Sequence, residues 1–123
     1  MWMRFKIGEV TVEAELNGSQ TARFVWDRLP VRGEVELYGE EVYFYLAACV
    51  GPEEAYTKAV VDKGAVAYSP QGPCLCLFYG KTPASRGTEC RPASMVTVIG
   101  KIIGDPERLR GVKMGDKIEA TKA

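Results

Sequence analysis

Two cysteines one residue apart, Cys74 and Cys76, are the side chains here whose spacing most suggests chemistry, and Cys49 and Cys90 complete the thiol set. Alternate residues of a strand point the same way, so Cys74 and Cys76 share a face. Structural zinc normally takes four ligands from closely spaced cysteine or histidine pairs, and no such set is present. Unpaired cysteine is also among the most buried residue types. The thiols are therefore expected to pack in a core, with no metal, no cofactor and no required disulfide. The chain has no histidine, which removes Ser-His-Asp and Cys-His arrangements, His-ligated metals and imidazole acid–base catalysis.

The tyrosines are the next candidates. Tyr43, Tyr45, Tyr68 and Tyr79, with Trp26, either line a ligand groove or pack beneath helices, since an aromatic ring with a hydroxyl suits both. The stretch Ser69-Pro70-Gln71-Gly72-Pro73 reads as a tight turn, because proline presets turn geometry and glycine permits positive φ. Its Gln71 amide can both donate to and accept from a ligand. Lys81, Arg86 and Arg91 fall in a long segment rich in Pro, Ser, Thr and Gly. Such a loop is either a binding loop on a rigid scaffold or a solvated surface.

These residues are positioned by a chain that reads mostly as strands. Met3, Phe5 and Ile7 alternate with Arg4 and Lys6, and Val10, Val12, Ala14 and Leu16 alternate with Thr11, Glu13 and Glu15. The two runs predict a hairpin around Gly8-Glu9. The period then changes: Ala22, Val25, Trp26 and Leu29 share one helical face over Thr21 to Leu29, with Ser19 or Asn17 as cap and Pro30 as stop. Strands follow at Glu34 to Tyr38 and Val42 to Leu46, the latter with Val42, Phe44 and Leu46 on one face and the tyrosines on the other. Gly51 to Lys63 reads as loop plus a short strand. Ala65 to Ser69 and the wholly apolar Cys74 to Tyr79 form a second hairpin, its last strand buried on both faces. Met95 to Ile103, a short helix opened by Asp105-Pro106-Glu107 and closed by Gly111, and a strand from Lys117 to Thr121 complete the chain.

Length and balance narrow the function classes. The 123 residues fit one domain. Lys plus Arg and Asp plus Glu each number 16, for a net charge of zero, without the basic excess of a nucleic-acid partner. No apolar run is long enough to span a bilayer, and the first ten residues do not form a signal-peptide core. A cytoplasmic location with reduced thiols is expected. Abundant Glu, Lys and Arg beside few Asn suggests a thermophilic source. The element order predicts a mainly β fold, a closed or nearly closed antiparallel barrel with two short capping helices.

That order, and the phrases AVAYSPQGPCLCLFYGKTP (65–83) and VTVIGKIIGD (96–105), resemble the cyclophilin superfamily, in particular its small prokaryotic cyclophilin-like proteins of undefined function. The phrase Val98-Ile99-Gly100-Lys101-Ile102 is similar to the family's Val-Phe-Gly-Lys-Val, and Thr21 to Leu29 falls where cyclophilins place their first helix. The catalytic carry-over fails. Cyclophilins use a Phe-x-Arg strand whose arginine polarises the twisting amide, whereas Val42-Tyr43-Phe44-Tyr45-Leu46 has no arginine. Their Gln-Phe-Phe strand becomes Leu75-Cys76-Leu77-Phe78, which keeps the aromatic but loses the glutamine. With a barrier of about 18–20 kcal/mol to amide rotation, the loss of positioned donors argues against isomerase activity.

The resulting expectation is a binding module with no catalytic residues, holding a short peptide or small molecule on Tyr43, Tyr45, Ser69, Gln71 and Phe78. A weak or atypical prolyl isomerase is the alternative, as is a non-catalytic subunit of an amide-hydrolysing assembly. Neither nucleic acid nor membrane is an expected partner, and homo-oligomerisation is left open.

Overall fold

The computed structural model describes residues 1–123. The alternation at the N-terminus becomes β1 (Trp2–Ile7) and β2 (Val10–Leu16), whose apolar residues turn inward. Gly8, at φ 55°, makes the turn between them. Ser19 caps α1 (Gln20–Trp26) by accepting from the Ala22 amide at 3.0 Å. This helix is shorter than the expected Thr21 to Leu29. The Arg28 and Leu29 amides bond three residues back, to Val25 and Trp26, as the chain tightens before Pro30.

The expected strand from Glu34 to Tyr38 is instead two strands. β3 (Val31–Glu34) pairs with the C-terminal strand β10 (Lys117–Lys122), and β4 (Glu36–Leu37) pairs with β5 (Glu41–Tyr45). A single residue, Val35, separates them. It is fully buried, donates to the Asp116 carbonyl and accepts from the Gly115 amide, both at 2.9 Å.

Between Leu46 and Ala65 the chain forms a 3-10 turn at Glu54–Tyr56 and the short β6 (Thr57–Lys58), the loop and brief strand expected. β7 (Ala65–Ser69), β8 (Cys74–Phe78) and β9 (Val96–Ile103) complete the sheet. Its order is β3-β10-β1-β2-β9-β7-β8-β5-β4, with every neighbour antiparallel and β6 joined to β9. The end strands β3 and β4 do not hydrogen-bond to each other. Being consecutive in the chain, they are joined through Val35, so the sheet curls into a barrel that the backbone, rather than a hydrogen-bond ladder, brings together. A Cβ on Gly33 would sit 3.2 Å from the Phe44 ring, which shows how closely the two ends approach.

The second expected helix is a 3-10 segment, Pro106–Gly111. Asp105 caps it by accepting from the Glu107 amide at 2.9 Å, and Leu109 drops into the main core. Gly100 serves a tight crossing of β2 and β9, because a Cβ there would fall 2.4 Å from the Glu15 carbonyl oxygen. No helix is long and apolar enough to cross a membrane.

The apolar residues divide into two clusters. The larger fills the barrel with Phe5, Phe44, Tyr68, Leu75, Leu77 and Ile99 among its members. The smaller lies on the opposite face of β7 and β8, where Ala65, Ala67, Cys74, Cys76 and Phe78 meet Val61, Cys90 and Val96. The double-sided burial of β8 thus has two separate causes, barrel core on one face and loop on the other. The 81–94 loop is fixed by its own side chains. Thr82 donates to the Arg91 carbonyl, Ser85 donates to that of Glu89, and the Glu89 carboxylate accepts from the Arg86 amide at 2.7 Å.

Candidate functional site

The face of β5 that looks away from the barrel carries Glu41, Tyr43 and Tyr45, in register with Phe78, Cys76 and Cys74 of β8. Paired residues of an antiparallel ladder project to one side, so carboxyl, phenols and thiols form a single outer surface. The smaller core covers its Phe78 end. Where that cover stops, a groove of about 340 Å³ opens over Glu41, Tyr43, Tyr45, Cys74 and Cys76. Tyr38 adds to its wall, Ser69, Gln71 and Gly72 close one end, and Pro92 to Ser94 bring the loop to its rim.

The Tyr43 and Tyr45 rings meet edge to face, with centroids 5.8 Å apart and planes at 85°. Tyr45 is 56% exposed, whereas Glu41 is only 5% exposed. Gly39, at φ 59°, makes the turn that leads into Glu41, with the Tyr38 and Glu41 backbones bonded to each other at 2.9 and 3.2 Å. Its neighbour Glu40 points outward to Arg110 and the Lys81 amide. Glu41 has no such partner, and its Oε1 is buried without a hydrogen bond.

Burial pushes the Glu41 carboxyl up to about 7, and the Cys76 thiol beside it opposes the shift only in part. The Cys74 and Cys76 sulfurs lie 3.8 Å apart. The hydrogen bond from Cys76 draws the Cys74 thiol down against the effect of its burial, and Cys76 itself is pushed well up by Cys74 and by burial. Burial also lifts the Tyr43 hydroxyl to about 12, so it remains neutral at physiological pH.

A wider concavity of about 770 Å³ lies between the 55–63 segment and β9. Its cations are Lys58, Lys101 and Lys63, the last held by Glu107 at 2.7 Å. None of the buried, unpartnered polar atoms lines it. Of these two concavities the smaller groove is the better candidate, since it combines concavity with a polar group whose hydrogen-bonding capacity is unused.

The family model for cyclophilin-like proteins matches residues 1–121. The chain belongs to the cyclophilin-like family. The solution structure of the hypothetical protein AF2241 from Archaeoglobus fulgidus is similar over 100% of this chain and 95% of that one, at 38% identity and a TM-score of 0.85. No curated protein matches.

In this cyclophilin-like domain Tyr43, Tyr45, Ser69 and Gln71 do meet around one groove. Phe78 does not. It is fully buried among Ala65, Cys76 and Cys90 in the smaller core, which covers this end of the outer face. The remaining aromatics also have other places. Tyr68 is inside the barrel with its hydroxyl accepting from the Val50 amide at 2.8 Å, Tyr79 packs under Arg110, and Lys122 lies over Trp26. Lys81, Arg86 and Arg91 do not line the groove.

Glu41 is the functional candidate that sequence reasoning missed. Gly39-Glu40-Glu41 reads only as the separation between two strands. The available signal was the alternation itself, because counting back two residues from Tyr43 places Glu41 on the tyrosine face.

Proposed function

We propose that this cyclophilin-like domain is a binding module that holds a short peptide or small molecule in the groove over β5 and β8. The observation that carries this reading is the buried Glu41 oxygen with no protein partner. Leaving such a group unsatisfied costs about 1–3 kcal/mol, a penalty that a ligand donating a hydrogen bond removes when the Glu41 side chain turns that oxygen into the groove it lines. Tyr43 and Tyr45 offer aromatic area, and Ser69 and Gln71 offer hydroxyl and amide groups at the groove's end. Titrating the labelled protein with N-acetyl amino-acid methylamides should shift the amide resonances of Tyr43, Gln71 and Cys74, and Tyr43→Ala should weaken binding about tenfold or more. Shifts confined to Tyr56 and Lys101, or none at millimolar ligand, would refute the assignment.

Catalysis of proline isomerisation is not part of this reading. The groove presents no guanidinium to polarise an amide as the cyclophilin arginine does, and positioned donors of that kind are the usual means of favouring the twisted state. In a coupled assay on a Xaa-Pro peptide the protein should leave the uncatalysed rate essentially unchanged. Turnover like that of an ordinary cyclophilin would restore the isomerase reading.

A further inference from the structure

Building on the reading of the groove as a binding site, we infer that its ligand presents an alkylammonium group, of the kind that ends a lysine side chain, to Glu41. Three features of the groove point to this chemistry together. Its only formally charged lining residue is Glu41, with no Lys or Arg among the rest. Three tyrosines, Tyr38, Tyr43 and Tyr45, line it, and the last two meet edge to face to form an aromatic corner. The buried Oε1 of Glu41 has no donor from the protein.

Tyrosine faces attract cations through their ring quadrupole, most strongly where water is displaced. A buried carboxylate repels anions and requires a paired cation or a donor. The bare oxygen selects among cations. A quaternary ammonium has no N–H to give it, and a guanidinium binds best to both oxygens of a carboxylate, a fork that a side chain only 5% exposed does not present. An ammonium carrying at least one N–H satisfies the oxygen and leaves its alkyl stem against the rings.

The same geometry couples binding to pH. The groups around Glu41 are the Cys74 and Cys76 thiols from β8 and the phenols of Tyr38, Tyr43 and Tyr45, with Glu36 of β4 opposite Tyr43, while Pro92 to Ser94 bring no charge from the loop. Without a cation, burial keeps the carboxyl protonated up to about 7. An arriving ammonium favours the ionised form, so binding releases a proton and strengthens as pH rises. The ligand's own charge is constant over this range, with an ordinary value near 10.4 for lysine.

The test compares N-acetyl-lysine methylamide with N-acetyl-norleucine methylamide, which replaces the ammonium by a methyl group, using calorimetry and resonance shifts on the intact protein. The lysine compound should bind at least about tenfold more tightly near pH 8, and its affinity should fall severalfold toward pH 6. Glu41→Gln keeps the side-chain shape and should erase both the preference and the pH dependence. Equal binding of the two compounds in the groove would overturn the ammonium inference and leave the binding-module reading intact. A preference that survives Glu41→Gln would overturn the role given to Glu41. Binding of neither compound would overturn both readings.

Discussion

Phe78→Ala should destabilise the protein by about 3–5 kcal/mol, the usual cost of removing a buried aromatic ring. Phe78 is fully buried in the smaller core, where Ala65, Cys76, Cys90 and Val96 are its companions. Two of these, Cys90 and Val96, belong to or border the long loop. That loop is tied to the segment before β7 by a bridge in which the Val61 amide donates to the Cys90 carbonyl at 2.9 Å. The rigid strands β7 and β8 cannot collapse onto the space a missing ring leaves, and the loop is held by its own hydrogen bonds. Both conditions favour the upper part of the range, because the cost grows with the cavity that remains. Denaturant unfolding of the variant should show a lower midpoint with an unchanged slope. A loss below about 1 kcal/mol would mean that the ring is dispensable to packing and would return Phe78 to the candidate ligand surface.

Phe78 also shows where sequence reading reached its limit. The all-apolar run Cys74 to Tyr79 correctly implied a strand covered on both sides. Nothing in its composition distinguished barrel core from loop cover. The distinction rests on the 81–94 segment, whose Pro, Ser, Thr and Gly content looks solvated. Those polar side chains instead hold the loop together, as Thr82 and Ser85 do, and Cys90 packs into the cluster on the outer face. The hairpins, the Ser19 and Asp105 caps and the Ser69–Pro73 turn were legible because local periodicity and turn chemistry decide them. Val35 was not. Its strand propensity continues that of its neighbours, and only the meeting of the two distant sheet ends makes the chain change partners there. Glu41 escaped for a related reason, since the burial of a turn-adjacent acid depends on which strand lies beside it.

The stability of the protein should respond to pH through Glu41 in a direction opposite to that of Glu34, Glu40 and Glu107. Glu34, Glu40 and Glu107 are held below their ordinary values by hydrogen bonds to Lys117, Arg110 and Lys63 respectively, so any stability they contribute is present above the unfolded value and lost as pH falls. Glu41 is displaced the other way, from an ordinary 4.5 to about 7, with burial as the leading cause. Its folded form holds a proton that its unfolded form has already released. The associated stability is therefore complete below about 4.5 and disappears as pH rises through about 7. At about 1.4 kcal/mol for each pH unit of displacement, forcing the buried carboxyl to ionise costs about 3 kcal/mol. Glu41→Gln provides the control, because the amide has nearly the same shape and does not titrate. Every other acid is common to both proteins and cancels in their difference. The variant should gain on the parent by about 3 kcal/mol between acid pH and pH 8, measured as the divergence of two denaturant-unfolding series. Parallel curves across that range would show that the Glu41 carboxyl has no raised value, and that water or a shifted side chain solvates it in the folded protein.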